Sequence, residues 1–172
     1  MRTKKLTQCA VLTALALALS LLERVLPLTA WIPLPGVKLG LGNIVTLFAL
    51  LTLGAPYAAA ILVLRAVLGS IFAGSLTSLV YSLSGGALAL AVMLLASRSR
   101  HLSVYGVSVL GAAAHSVGQI AAAAALMGSM AVLSYLPLLL LVSIGTGALV
   151  GAATAGVLRG WDALRARRGT AA

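Results

Sequence analysis

Residues 55–97 run for 43 positions with a single charge, Arg65. One helix of that length would extend about 64 Å at ~1.5 Å per residue, roughly twice the ~30 Å hydrocarbon core of a bilayer. The stretch must therefore fold back on itself, and Gly74-Ser75 is the expected turn. Similar runs fill most of the 172 residues, of which 62% are apolar and 8% charged. Soluble domains carry about 25% charged residues, so this chain lacks the polar surface that water requires. An all-α, polytopic protein of the cytoplasmic membrane is expected. The net charge of +10 would suggest nucleic acid in a soluble protein, but few cations scattered between apolar runs fit the basic cytoplasmic edges of a membrane protein.

Six spans are expected in one integral membrane domain, over residues 6–26, 41–54, 56–73, 76–97, 104–127 and 131–158, followed by a basic tail at 159–172. The second is short for a crossing. Charge supplies the missing constraint. Arg2, Lys4 and Lys5 precede the first span, Arg98, Arg100 and His101 separate the fourth from the fifth, and Arg159, Arg165, Arg167 and Arg168 follow the sixth. If all three clusters are cytoplasmic, the number of crossings between the first two must be even, and it is four only when 41–54 crosses. Both termini are then cytoplasmic, with Arg24 and Lys38 on the outer side. The N-terminus resembles a secretory signal in its basic start, but its apolar run is long for one and cleavage would break this parity. The tail, with Trp161 and Leu164 among four arginines, is expected to lie along the inner membrane surface.

Small residues mark close helix contacts. Ala10, Ala14 and Ala18 form a stripe on the first span that suits either internal packing or a partner helix. Gly147, Gly151 and Ala155 form a second stripe, read as internal packing. Adjacent Gly85 and Gly86 mark either a local break or a close approach. The long connection 27–40, with Pro27, Pro33, Pro35 and Trp31, is stiff and apolar, and suits a lid over an outward cavity or an interfacial anchor. Cys9, beside an apolar run, is expected to pack as a small hydrophobe.

Polar groups within spans are costly and normally face the bundle interior or a wet cavity. Here they are Asn43, Arg65, Tyr81, Ser84, His115 and Gln119. His115 and Gln119, four apart, share one helical face. Glu23 is placed near the outer end of the first span and Asp162 in the tail, which leaves Arg65 without an intramembrane carboxylate. A cation so placed points to an anionic or carbonyl-rich ligand, with snorkelling or bonding to helix backbones as the alternatives. Two acidic residues supply no carboxylate pair and no Mg²⁺ cluster, and there is no P-loop. No catalytic residue, metal site or cofactor is expected, and the chain is not read as an enzyme.

Three blocks carry a resemblance: PGVKLGLGNIVTLFAL (35–50), RAVLGSIFAGSLTSLVYSLSGG (65–86) and GAAAHSVGQI (111–120). Over about residues 6–156 the chain resembles the Gx transporter family, also described as heptaprenyl diphosphate synthase component I. It departs from that pattern at Ser116, where the family carries asparagine after the histidine. The family is in turn similar to the S components of energy-coupling factor transporters. That likeness implies a substrate-binding subunit for uptake of a small micronutrient or precursor, energised by separate coupling and ATPase subunits. It makes Ala10, Ala14 and Ala18 the docking stripe and 27–40 the lid, and it places Tyr81, His115 and Gln119 at the pocket. Lys38, Asn43 and Arg65 are added to that pocket for their polarity. The family's other description implies a second role, a noncatalytic membrane component of a polyprenyl diphosphate synthase.

Overall fold

Glycine and serine turn the apolar runs into helical hairpins. A computed structural model describes residues 2–25 and 40–169, and among these it is helical throughout, with no strand. The helices are α1 (Arg2–Val25), α2 (Leu41–Thr52), α3 (Ala55–Ala73), α4 (Leu76–Ala96), α5 (Val104–Met127) and α6 (Leu136–Gly169), with a 3₁₀ segment over Met130–Tyr135. The expected turn at Gly74-Ser75 is present: Gly74 adopts φ 61°, and the Ser75 side chain caps α4 by accepting from the Ser78 amide. Ser103 caps α5 in the same way through Gly106.

Five of the helices are long and apolar enough to cross a bilayer, and α2 is shorter. Large apolar side chains such as Ile71, Phe72, Leu76, Leu95 and Leu141 are exposed around the bundle, as lipid contact requires. This is a multi-pass membrane protein.

The helices divide into two packed groups. Helix α1 packs on α2 and α3, whereas α4, α5 and α6 follow one another as antiparallel neighbours. Helix α3 packs on α4 to join the groups, and α2 bridges them as well, touching α1, α3, α4 and α6, with every residue from Val45 to Leu50 buried. Lipid tails are as apolar as leucine, so helices in a membrane associate through close van der Waals contact at small residues. Gly118 lies against the backbone of Ser84 and Gly85, and Gly147 against that of Val109, which brings α4–α5 and α5–α6 within backbone contact. Helix α4 runs unbroken through Gly85 and Gly86, so this pair serves close packing. The Gly147 and Gly151 stripe likewise packs internally, on α5.

Helix α6 differs from expectation at both ends. It starts at Leu136, after the 3₁₀ segment, with Pro137 in its first turn, where a missing amide costs nothing. It then continues without a break through the basic segment to Gly169, 34 residues or about 51 Å. The described part of the tail is thus helical and continuous with the last span. Trp161 explains the continuity: its ring meets Phe48 of α2 edge-on at 5.7 Å, and the Arg165 guanidinium lies 5.2 Å over it. Beside this contact lies an apolar cavity of about 220 Å³ lined by Gln8, Val11, Leu12, Phe48, Leu53 and Trp161.

Candidate functional site

Helices α2 and α3 form a hairpin about Gly54, and Asn43 and Arg65 stand eleven residues to either side of it. Antiparallel helices bring such positions to one level, here about 16 Å from the turn. The two side chains do meet: Arg65 Nη2 donates to Asn43 Oδ1 at 3.4 Å. Arg65 Nη1 donates to Ser20 Oγ of α1 at 3.1 Å, and the Ser20 hydroxyl sends its own proton to the Ala16 carbonyl at 2.8 Å. Arg65 Nε is buried with no acceptor among the described residues. Three helices therefore converge on one guanidinium, which keeps unused hydrogen-bonding capacity.

Gly42 makes this convergence possible. A Cβ at position 42 would fall on Arg65 Nη1 and lie 2.5 Å from Ser20 Oγ. Without a side chain there, the guanidinium rests against the first turn of α2.

Glu23 completes the cluster. The buried face of α1 runs through Cys9, Thr13, Ala16, Ser20 and Glu23 at helical spacing, and Cys9 packs in the core as a small hydrophobe. Glu23 is 8% exposed, and its two oxygens accept the amides of Gly40 at 2.8 Å and Leu41 at 3.1 Å. A carboxylate at a helix N-terminus satisfies unpaired amides and complements the positive end of the helix dipole. Gly42 follows these two amides directly, so Glu23 and Arg65 lie against the same helical turn. Among the described residues the carboxylate bonds these amides and forms no ion pair with Arg65. Glu23 stands two residues before the end of α1, and its carboxylate meets the start of α2 there.

His115 and Gln119 form a second locus between α4 and α5. The Gln119 Cγ, the His115 carbonyl and His115 Cε1 all lie within 3.1 Å of where a Gly85 Cβ would sit. Tyr81, one turn before Gly85 on α4, is half-buried. Ser116 is tied to α6 through a 2.8 Å hydrogen bond with Ser143, whose hydroxyl also reaches the Leu139 carbonyl at 2.7 Å. Lys38 and nearly all of the 27–40 connection, Trp31 included, lie outside the described residues.

The alanine stripe on α1 has a different environment from the glycine stripes. Ala10, Ala14 and Ala18 are all exposed, with Val11, Leu15 and Leu22 beside them. Among the described residues nothing covers that face.

Ser20, Glu23 and Gly42 are the cluster members that spacing arguments missed. Ser20 and Glu23 carry a usable signal, being polar residues about one turn apart on the largely apolar C-terminal half of α1. Gly42 carries none that distinguishes it from the other glycines.

No curated protein and no solved structure matches the chain. The family model for heptaprenyl diphosphate synthase component I matches residues 12–157, a range that takes in both glycine-packed helix pairs and both polar loci. The chain belongs to the heptaprenyl diphosphate synthase component I family.

Proposed function

We propose that this protein is a substrate-capture subunit of the cytoplasmic membrane, resembling the S components of energy-coupling factor transporters. It binds a small micronutrient-like or precursor molecule within the bundle. It works with separate coupling and ATPase subunits, docking on the coupling subunit through Ala10, Ala14 and Ala18. The observation that carries this reading is the part-buried guanidinium of Arg65, bonded to Ser20 and Asn43 in an apolar bundle, with its Nε buried and unpaired among the described residues. Polar groups at such depth are costly and usually mark a ligand or ion path. The exposure of the alanine stripe supports the docking role, since a stripe used for internal packing would be covered. In this reading all six helices cross, both termini are cytoplasmic, and Tyr81, His115, Gln119 and Lys38 contribute to the pocket under the 27–40 lid.

The test is a thermal-stability screen of the purified protein in nanodiscs against a metabolite library, followed by direct binding of the compounds that stabilise it. Affinity is expected to fall in both Arg65→Ala and His115→Ala. Unchanged affinity in both variants removes the site assignment.

The family description favours a second reading, a noncatalytic membrane component of a heptaprenyl diphosphate synthase. With two acidic residues in the chain, a partner would have to supply the metal-binding carboxylates for diphosphate chemistry. Purification from native membranes followed by mass spectrometry separates the two. Copurifying ATPase and coupling subunits support capture, and a copurifying prenyl synthase supports the synthase role.

A further inference from the structure

The cavity beside Trp161 lies between two helices that do not close on each other. Helices α1 and α6 each pack on α2 but hardly on one another, and α2 ends at Thr52. The gap is the space of about 220 Å³ walled by Thr7, Val11 and Leu12 of α1, Phe48 and Thr52 of α2, and Trp161 of α6. Thr7 and Val11 are exposed, so it opens sideways on the surface of the bundle. Its walls are almost wholly apolar, and the Thr52 hydroxyl already donates to the Phe48 carbonyl at 2.7 Å, so water there would lack polar partners. The described helices carry the chain ends away from it: α1 is helical from Arg2, and α6 runs on to Gly169, eight residues or about 12 Å beyond Trp161.

This end of the bundle is basic. Lys4 and Lys5 stand one turn before Gln8, and Arg165 one turn after Trp161. The Lys5 ammonium lies 5.7 Å over the Tyr57 ring and the Arg165 guanidinium 5.2 Å over Trp161, so aromatic faces hold both cations near the cavity. The acidic residues of the chain are Glu23 and Asp162, and Glu23 is bonded at the opposite end of α1, which leaves Asp162 to oppose them. No acidic side chain stands among the residues outside the described ones. Trp161 Nε1 is buried with no acceptor among the described residues, although a buried indole N–H usually has one.

We propose that this gap binds an anionic glycerophospholipid: one acyl chain fills the cavity between α1 and α6, the headgroup phosphate pairs with Arg165, and an ester or phosphate oxygen accepts from Trp161 Nε1. Hydrocarbon suits walls that offer water no partner, and a phosphate suits an end of the bundle where cations outnumber acids. The lipid covers the side of α2 that α1 and α6 leave open. Its leaflet is the cytoplasmic one in the topology proposed above, and the site depends on neither reading of the function.

Quenching of Trp161 fluorescence by brominated lipid tests this in the full-length protein. Trp31→Phe leaves Trp161 as the one tryptophan, and the protein is reconstituted in phosphatidylcholine vesicles with a minor fraction of phosphatidylglycerol, bromine being carried on the acyl chains of one lipid or the other. Brominated phosphatidylglycerol is expected to quench as though its share beside Trp161 were about fivefold its share of the bilayer, the fold-change of one basic contact with an anionic headgroup. Arg165→Gln should bring that share down to the bilayer value. Val11→Phe, which narrows the opening, should lower quenching by either lipid. Both substitutions fall at exposed positions, and size-exclusion chromatography checks that the variants fold. Quenching in proportion to bilayer composition overturns the anionic headgroup. Quenching untouched by Val11→Phe overturns the cavity as the seat of the chain and leaves surrounding lipid only. A Trp161 that neither lipid quenches overturns the site, its space then being filled by protein, whether this chain, a second copy or a partner helix.

Discussion

Arg65 of α3 holds its place because two neighbouring helices accommodate it. Helix α1 contributes a hydroxyl, α2 gives up a side chain at Gly42, and α2 also turns Asn43 toward α3. The close fit at Gly42 yields a sharp expectation. Gly42→Ala forces the guanidinium away from Ser20, with an expected loss of about 1–3 kcal/mol. Its unfolding midpoint should fall, and any ligand-induced rise in that midpoint should shrink with it. A variant as stable and as responsive as the native protein would show that the turn has slack. The meeting of Asn43 and Arg65 was legible, since both stand at equal distance from Gly54 in an antiparallel hairpin. The approach of Glu23 was not. It depends on where the chain returns at Gly40 after α1 ends at Val25, and the residues beside Glu23 do not encode that.

At the level of helices, identical-looking small-residue stripes serve opposite ends. Gly147 and Gly151 are buried against α5, while Ala10, Ala14 and Ala18 stay exposed. Ala14→Trp should therefore leave the unfolding midpoint within about 0.5 kcal/mol of native, as surface substitutions usually do, while abolishing copurification of a partner. Retained copurification would count against the stripe. Gly118→Leu is the contrasting case. A Cβ there would lie 2.7 Å from the Ser84 carbonyl oxygen and 2.9 Å from Gly85 Cα, backbone atoms that cannot rotate aside. We expect loss of folded protein by size-exclusion chromatography, or a destabilisation of about 3 kcal/mol or more. The helix spacing of four announced both stripes, but which face each helix turns inward is set by its neighbours. Among the described residues helix α1 packs on α2 and α3, and this leaves its alanines exposed.

For the whole molecule, the short α2 is the organising element. It touches four other helices, and Thr154 of α6, fully buried, comes within 3.5 Å of its Ile44 carbonyl. Trp161 closes the same helix from the far end of α6. Trp161→Ala would enlarge the adjoining 220 Å³ cavity, and a loss of about 3 kcal/mol is expected from thermal unfolding in nanodiscs. An unchanged midpoint would show that the α6 extension is not held by this contact. Orientation is checked with single cysteines in a Cys9→Ser background. Ser99→Cys is expected to react with an impermeant maleimide only when the cytoplasmic face is open, and Ser75→Cys only from outside. The reverse pattern would invert the topology.

The number of long helices, their hairpin turns and their membrane class came from runs of apolar residues broken by glycine, serine and arginine. These are local properties, because a bilayer demands a minimum apolar length and backbone bonds closed within each helix. Packing supplied the rest. It buried the middle of α2, carried α6 onward past the basic segment, and brought Glu23 to the same helical turn as Arg65. The distinction is physical: how long a helix is depends on its own residues, but the charge a buried guanidinium experiences depends on groups that are distant in the chain and adjacent only once the helices are assembled.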